Sequence, residues 1–122
     1  MQRNTVQRQI ILDTIGGFDI HPTVDELYGE IRKRHPSISK TTIYRNLRQL
    51  AHGGQIGRVA LDDADRYDKR TDSHYHFQCK RCKTIFDVDI NRIDGIDGEV
   101  RVKYGFDVEG HDIVFRGVCR NC

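Results

Sequence analysis

Long apolar runs are missing from this sequence: no uninterrupted aliphatic stretch exceeds Ile10-Ile11-Leu12. A helix needs about 20 mostly apolar residues to span a bilayer, and a secretory leader needs an apolar core of about 7–15. Neither is readable here, so no membrane role is expected and the cytoplasm is the expected location. Charge of one sign is missing too, because 20 Lys and Arg oppose 18 Asp and Glu for a formal net of +2. With 37% hydrophobic residues and a mean hydropathy of −0.64, the composition excludes the apolar-poor, one-signed class of disordered chains. Low-complexity tracts are absent, and the one repeat is a pair of Cys-x-x-Cys motifs. At 122 residues the chain has the size of one domain, or of two very small lobes if something staples them.

The near-zero net charge hides an asymmetry. Residues 1–60 carry nine basic and five acidic side chains, whereas residues 61–122 carry eleven and thirteen. A basic front and an acidic rear suggest two jobs, although an imbalance of this size is often only a solvated surface. Patterning has to decide between them.

In the front half, Val6, Ile10, Ile11 and Ile15 recur at near-helical spacing and Gly16-Gly17 supplies a stop, which predicts a helix over 5–15. Val24, Leu27, Tyr28 and Ile31 follow i, i+3, i+4, i+7 behind Thr23-x-x-Glu26, a capping box, and this second helix should end near His35-Pro36. Ser39 is placed to cap a third helix with Ile43, Leu47, Leu50 and Ala51 inward, closed by Gly53-Gly54. Ile56, Val59 and Leu61, the polar turn at 62–65 and Arg66-Tyr67-Asp68 then read as a two-stranded ribbon. Three helices followed by a hairpin predict a winged helix-turn-helix over residues 1–70. On the third helix the inward stripe leaves Lys40, Thr41, Thr42, Tyr44, Arg45 and Arg48 outward or nearly so, and such groups suit phosphates and base edges of double-stranded DNA.

Past Thr71 the pattern changes to period two. His74, His76 and Gln78 alternate with Tyr75, Phe77 and Cys79, and Ile85–Ile90 continues as strand. Ile90, Ile93, Ile96 and Val100 keep helical spacing through residues 91–103, while 106–108 and 112–118 read as further strands. The chain is therefore expected to be α+β, with a small α/β lobe over residues 71–122.

Two motifs in that lobe carry chemistry. Cys79-Lys80-Arg81-Cys82 and Cys119-Arg120-Asn121-Cys122 supply four thiolates in two pairs, the donor set of a structural zinc that would tie the chain terminus to the sheet. A closed four-thiolate shell has no open position, so it stabilises and does not catalyse. His74 and His76 share a strand face about 7 Å apart by strand rise, with Asp68, Asp87 and His21 as further nitrogen and oxygen donors whose union would bridge the two lobes. His35 and His52 read as surface residues.

These motifs, in this order, resemble the ferric uptake regulator superfamily of metal-dependent winged-helix repressors, and most of all its peroxide-sensing branch. The likeness runs through Thr5-Val6-Gln7-Arg8, His21-Pro22-Thr23, Thr41 to Leu47, Arg66-Tyr67-Asp68, His74-Tyr75-His76 and both cysteine pairs. It implies a homodimer on a DNA operator, structural Zn2+ at Cys79, Cys82, Cys119 and Cys122, and regulatory Fe2+ or Mn2+ at His21, Asp68, His74, His76 and Asp87. It further implies that peroxide oxidises His21 or His74 where Fe2+ is bound. Aspartate at both 68 and 87, where the iron-uptake branch typically has glutamate, resembles the peroxide branch. Of a second position that iron-uptake members often use, only His111 is left, with Ser73 and Tyr75 in place of ligands, so no third site is expected. The family's segment ahead of the Thr-x-Gln-Arg motif has little counterpart here, leaving Arg3 as the candidate for a minor-groove contact.

Three other readings compete. An iron- or manganese-responsive uptake regulator would use the same residues. A non-haem iron enzyme with a two-histidine-carboxylate site needs an organic-substrate pocket that no sequence feature requires, and no such substrate is expected. A zinc-ribbon module explains the cysteines but leaves His21, Asp68 and Asp87 without a purpose.

Overall fold

A computed structural model describes residues 3–122, with side chains from Thr5 onward. The chain divides into two compact units, one ending at Asp72 and the other spanning Ser73–Cys122.

The first unit holds α1 (Arg3–Gly16), α2 (Val24–Arg34), α3 (Lys40–His52) and the antiparallel pair β1 (Gly57–Val59) and β2 (Arg66–Asp68). That order is a winged helix. Its core joins Ile11 and Ile15 of α1, Leu27 and Ile31 of α2, and Ile43, Leu47 and Leu50 of α3 with Ile38, Ile56 and Tyr67. Val6 departs from the expected stripe: it is exposed, and Ile10 only packs against the core edge. Two turns of α1 therefore supply its buried face.

Local chemistry sets the helix ends. The Thr23 hydroxyl accepts from Glu26 N–H at 3.2 Å while Thr23 N–H donates to Glu26 Oε1 at 3.0 Å, the reciprocal capping box read from sequence. Ser39 Oγ likewise accepts from Thr42 N–H at 3.1 Å. At the end of α3, Gly53 keeps φ at −81° and Gly54 alone takes the left-handed conformation, at +74°. His35, expected at the surface, is half-buried, and its backbone N–H closes α2 on Ile31 C=O at 2.8 Å. Between β1 and β2, a Cβ at Gly57 would lie 2.9 Å from Arg70 C=O, so only glycine fits the close approach.

The second unit is a three-stranded sheet with one helix: β3 (Tyr75–Cys79), β4 (Ile85–Val88), α4 (Gly95–Tyr104) and β5 (Val114–Gly117). The order is β4-β3-β5, with β3 antiparallel to β4 and parallel to β5. Three expectations shift here. Residues 106–108 form no strand, the final strand shrinks to 114–117, and the helix starts at Gly95 instead of residue 91. α4 buries none of its residues, with Val100 37% and Val102 89% exposed, so its apolar spacing marks no core face of this single chain. Among the described residues no helix is long and apolar enough to cross a membrane.

Removing the α2 cap tests how far local bonding holds the first unit. Thr23→Ala should lower its unfolding free energy by about 1 kcal/mol in chemical denaturation followed by circular dichroism.

Candidate metal centres

The four cysteines converge. Cys79 ends β3, Cys82 lies in the turn that follows, and Cys119 and Cys122 come just beyond β5, which pairs with β3 so that Cys79 stands opposite Gly117. Their sulfurs are 3.5 Å apart for Cys79–Cys122, 3.8 Å for Cys82–Cys119 and 3.3 Å for Cys119–Cys122. A tetrahedral ion with Zn–S bonds of about 2.3 Å needs sulfur separations of about 3.8 Å. No disulfide joins them. The N–H groups of Cys119 and Cys82, each 3.4 Å from Cys79 Sγ, hold that thiol down at about 5. Thr84, through its hydroxyl and N–H, lowers Cys82. Cys122 is pushed up to about 12, first by its contact with Cys119 and then by Cys79. Two thiols held down and a third pushed up by its sulfur neighbours make a cluster that ionises fully only when a cation compensates the charge, which a thiolate-bound metal does.

The turn between Cys79 and Cys82 has a backbone cost. Lys83 N–H donates to Cys79 C=O at 2.9 Å and Lys83 takes φ +64°, a conformation that a non-glycine side chain disfavours.

The five nitrogen and oxygen donors divide between the units. In the first, the buried His21 Nε2 lies 3.1 Å from Asp68 Oδ2. Three contacts place that pair: Tyr67 N–H donates to Pro22 C=O at 2.9 Å, Arg66 Nη1 to His21 C=O at 3.5 Å, and Arg70 N–H to Asp68 Oδ1 at 3.0 Å. In the second unit, β-sheet register sets His76 directly across from Asp87. Asp87 Oδ1 is 2.9 Å from His74 Nε2 and 3.6 Å from His76 Nε2. The two rings lean together, with centroids 4.4 Å apart, closer than strand rise alone predicts. His74 precedes β3 and is free of its pleat. Neutral imidazoles and carboxylates of this kind suit Fe2+ or Mn2+ better than thiolates do.

On α3, Lys40, Thr41, Tyr44, Arg45 and Arg48 are exposed. Lys40 pairs with Asp25, and the Arg48 guanidinium lies 5.9 Å from the Tyr44 ring centroid. Thr41, Tyr44, Arg45, Arg48 and, from β1, Arg58 line a groove of about 950 Å³. Thr42 is half-buried, near the outward face, and Ser39 Oγ donates to its Oγ1 at 2.9 Å, so its hydroxyl also takes part in the helix cap. The Arg3 side chain lies outside the described residues.

A profile of the ferric uptake regulator family matches residues 2–116. The chain belongs to that family. Among curated relatives it is similar to the peroxide-responsive repressor PerR of Staphylococcus epidermidis, 35% identical over 98% of this chain and 81% of the relative. The PerR of Staphylococcus aureus strain USA300 is 36% identical over 98% and 82%. Among solved structures, the Campylobacter jejuni peroxide stress regulator matches with a TM-score of 0.78 at 30% identity, over 98% of this chain and 91% of that one. Members of the ferric uptake regulator family are regulators, and this chain is a metal-responsive regulator of that family.

Reading residues alone missed the contacts that place the ligands. Arg66 was only part of a motif, yet it is buried, reaches His21 C=O and faces Asp63 at 3.6 Å and Glu26 at 4.0 Å. His111 was only a leftover, yet it stands between Tyr75 and Asp97, partners 36 and 14 residues away.

Two substitutions test the cysteine centre. Cys119→Ser should abolish stoichiometric zinc, measured by elemental analysis, and strongly lower the melting temperature of the second unit. Lys83→Gly should keep the zinc and gain up to about 1 kcal/mol by relieving the left-handed backbone.

Proposed function

We propose that this regulator is a metal-dependent repressor that senses peroxide. The observation that carries the reading is the donor set, in which three imidazoles and two aspartates form two close clusters, His21 with Asp68 and Asp87 with His74 and His76. The likeness to peroxide-responsive repressors at 35–36% identity supports the choice of signal.

In this reading Cys79, Cys82, Cys119 and Cys122 hold Zn2+ permanently. His21, Asp68, His74, His76 and Asp87 together hold an exchangeable Fe2+ or Mn2+. His21 and Asp68 belong to the first unit and the other three to the second, so holding one ion in common favours one arrangement of the two units. That differential affinity is the coupling free energy available to DNA binding. Residues 1–70 act as the DNA-binding domain and residues 71–122 as the dimerisation and metal-binding domain. Tyr44 and Arg45 read base edges, Lys40, Thr41 and Arg48 position the helix on phosphates, and dimerisation sets half-site spacing. Thr42 contributes through the cap and Arg3 through the minor groove.

When bound at these residues, Fe2+ would supply the electron that peroxide reduction requires, and Mn2+ would give one up far less readily. By the resemblance to the peroxide-sensing branch, the imidazoles of His21 and His74 are the side chains that the resulting oxidant modifies. Once either is oxidised, its nitrogen is a poorer donor and the shared arrangement is lost.

The test is operator binding by the zinc-loaded protein, with and without Fe2+ or Mn2+, before and after peroxide. Either ion should tighten binding, and peroxide should weaken it only with Fe2+, while the peptide holding His21 or His74 gains one oxygen in mass spectrometry. Oxidation confined to cysteines, or equal damage with Mn2+, would overturn peroxide sensing in favour of an iron- or manganese-responsive uptake regulator. His21→Ala should make DNA binding insensitive to the ion while retaining zinc. Tyr44→Ala and Arg45→Ala should each cost about 1–3 kcal/mol of sequence-specific affinity in fluorescence anisotropy, with fold and metal content unchanged.

A further inference from the structure

Tyr75 sits on β3 between His74 and His76, its side chain directed to the other face of the strand, and it is fully buried. Its phenol oxygen accepts from Ile93 N–H at 2.9 Å and lies 2.8 Å from His111 Nε2. His111 Nδ1 lies 2.7 Å from Asp97 Oδ1. With the imidazole proton on Nδ1, facing Asp97, Nε2 is an acceptor, and because Ile93 N–H already occupies a lone pair of the phenol, the phenol O–H is placed to donate to Nε2. Asp97, His111 and Tyr75 form one continuous chain of hydrogen bonds.

A phenol with no solvent exposure is out of reach of a substrate and is no nucleophile. It can still lose an electron. Oxidation of a phenol is unfavourable while the proton stays, because the radical cation is a very strong acid, and it becomes favourable when a base takes the proton in the same event. His111 is that base, and Asp97 stabilises the imidazolium it becomes. The Arg92 guanidinium, 5.5 Å from the Tyr75 ring centroid, opposes a charged ring but not a neutral radical. Tyr67, the other fully buried tyrosine, has its phenol raised by burial and by the neighbouring Asp65 carboxylate. The chain contains no tryptophan to take the electron deficit instead.

We propose that Tyr75 is an internal one-electron donor, which quenches the oxidant formed when peroxide is reduced beside His74 and His76; this rests on the peroxide-sensing reading above. The oxidant is hydroxyl radical. It takes one electron from the phenol and becomes hydroxide, which a solvent proton converts to water. The phenol O–H bond breaks and its proton forms an N–H bond at His111 Nε2, leaving a neutral tyrosyl radical hydrogen-bonded to an imidazolium. This step competes with oxygen addition to His21 or His74, so it sets how much peroxide the sensor needs.

The test has two arms, both on the full-length, zinc-loaded protein. Without iron, radiolytically generated azide radical oxidises the protein independently of any peroxide chemistry. Wild type should give a long-lived tyrosyl signal in electron paramagnetic resonance, formed more slowly in deuterated solvent. The signal should be lost in Tyr75→Phe and several-fold weaker in Asp97→Asn, which keeps the phenol and its packing if loss of the hydroxyl proves too disruptive. The same long-lived signal in Tyr75→Phe, or an undiminished one in Asp97→Asn, overturns the donor assignment. With Fe2+ and limiting peroxide, Tyr75→Phe should show several-fold more oxygen on the His21 or His74 peptide than wild type. Equal oxidation overturns the quenching role. No histidine oxidation in either protein overturns the peroxide reading and the quenching with it, whereas a Tyr75 signal in the first arm still establishes the electron donor.

Discussion

Shortage of apolar surface governs the second half of this protein. Among the described residues from Ser73 to Cys122, only Tyr75, Cys79 and Ile85 are buried apolar side chains, against ten in the core of the first unit. At about 1.5–3 kcal/mol for each fully buried large apolar side chain, three cannot offset the ordering of fifty residues. Polar bonding has to do the rest. The thiol cluster at one end of the sheet and the Asp97–His111–Tyr75 chain at the other do so by joining segments far apart in sequence.

The same scarcity explains why chemistry is concentrated there. Groups that hold a small sheet together through ligands and hydrogen bonds must converge, and converging thiols, imidazoles and carboxylates are what bind metals. Cys79 belongs to β3 with His76, and His74 stands one residue ahead of that strand. A strand paired on both sides is the least mobile element such a unit offers, so the donors it carries are well placed. Asp87 gains its position from the antiparallel register with His76 and not from any nearby residue in the chain.

In the first unit an ordinary hydrophobic core does the holding, and that frees polar residues for contacts of another kind. β2 is tied to the segment ahead of α2 by Tyr67 N–H, by the Arg66 guanidinium and by the His21–Asp68 contact. The wing strand and a metal-ligand histidine are thus held by the same bonds. A change in the bonding of His21 is felt at the hairpin through atoms in direct contact.

The sequence alone was enough for whatever depends on neighbours a few residues apart. The caps of α2 and α3, the inward faces of those helices, the outward set on α3 and both Cys-x-x-Cys motifs follow from spacings of two to seven residues, because helical periodicity and capping are local physics. Tertiary structure decided the rest. It buried Asn46 and Arg66, turned Thr42 to the Ser39 hydroxyl, left α4 with no buried face, and shortened the final strand. It also linked His111 to Tyr75 and Asp97, a contact across 36 residues that no periodicity announces. The reason is physical: spacing tells which side chains share a face, but what that face meets is chosen by the packing of distant segments, and in a unit so poor in apolar residues that choice rests on individual polar contacts.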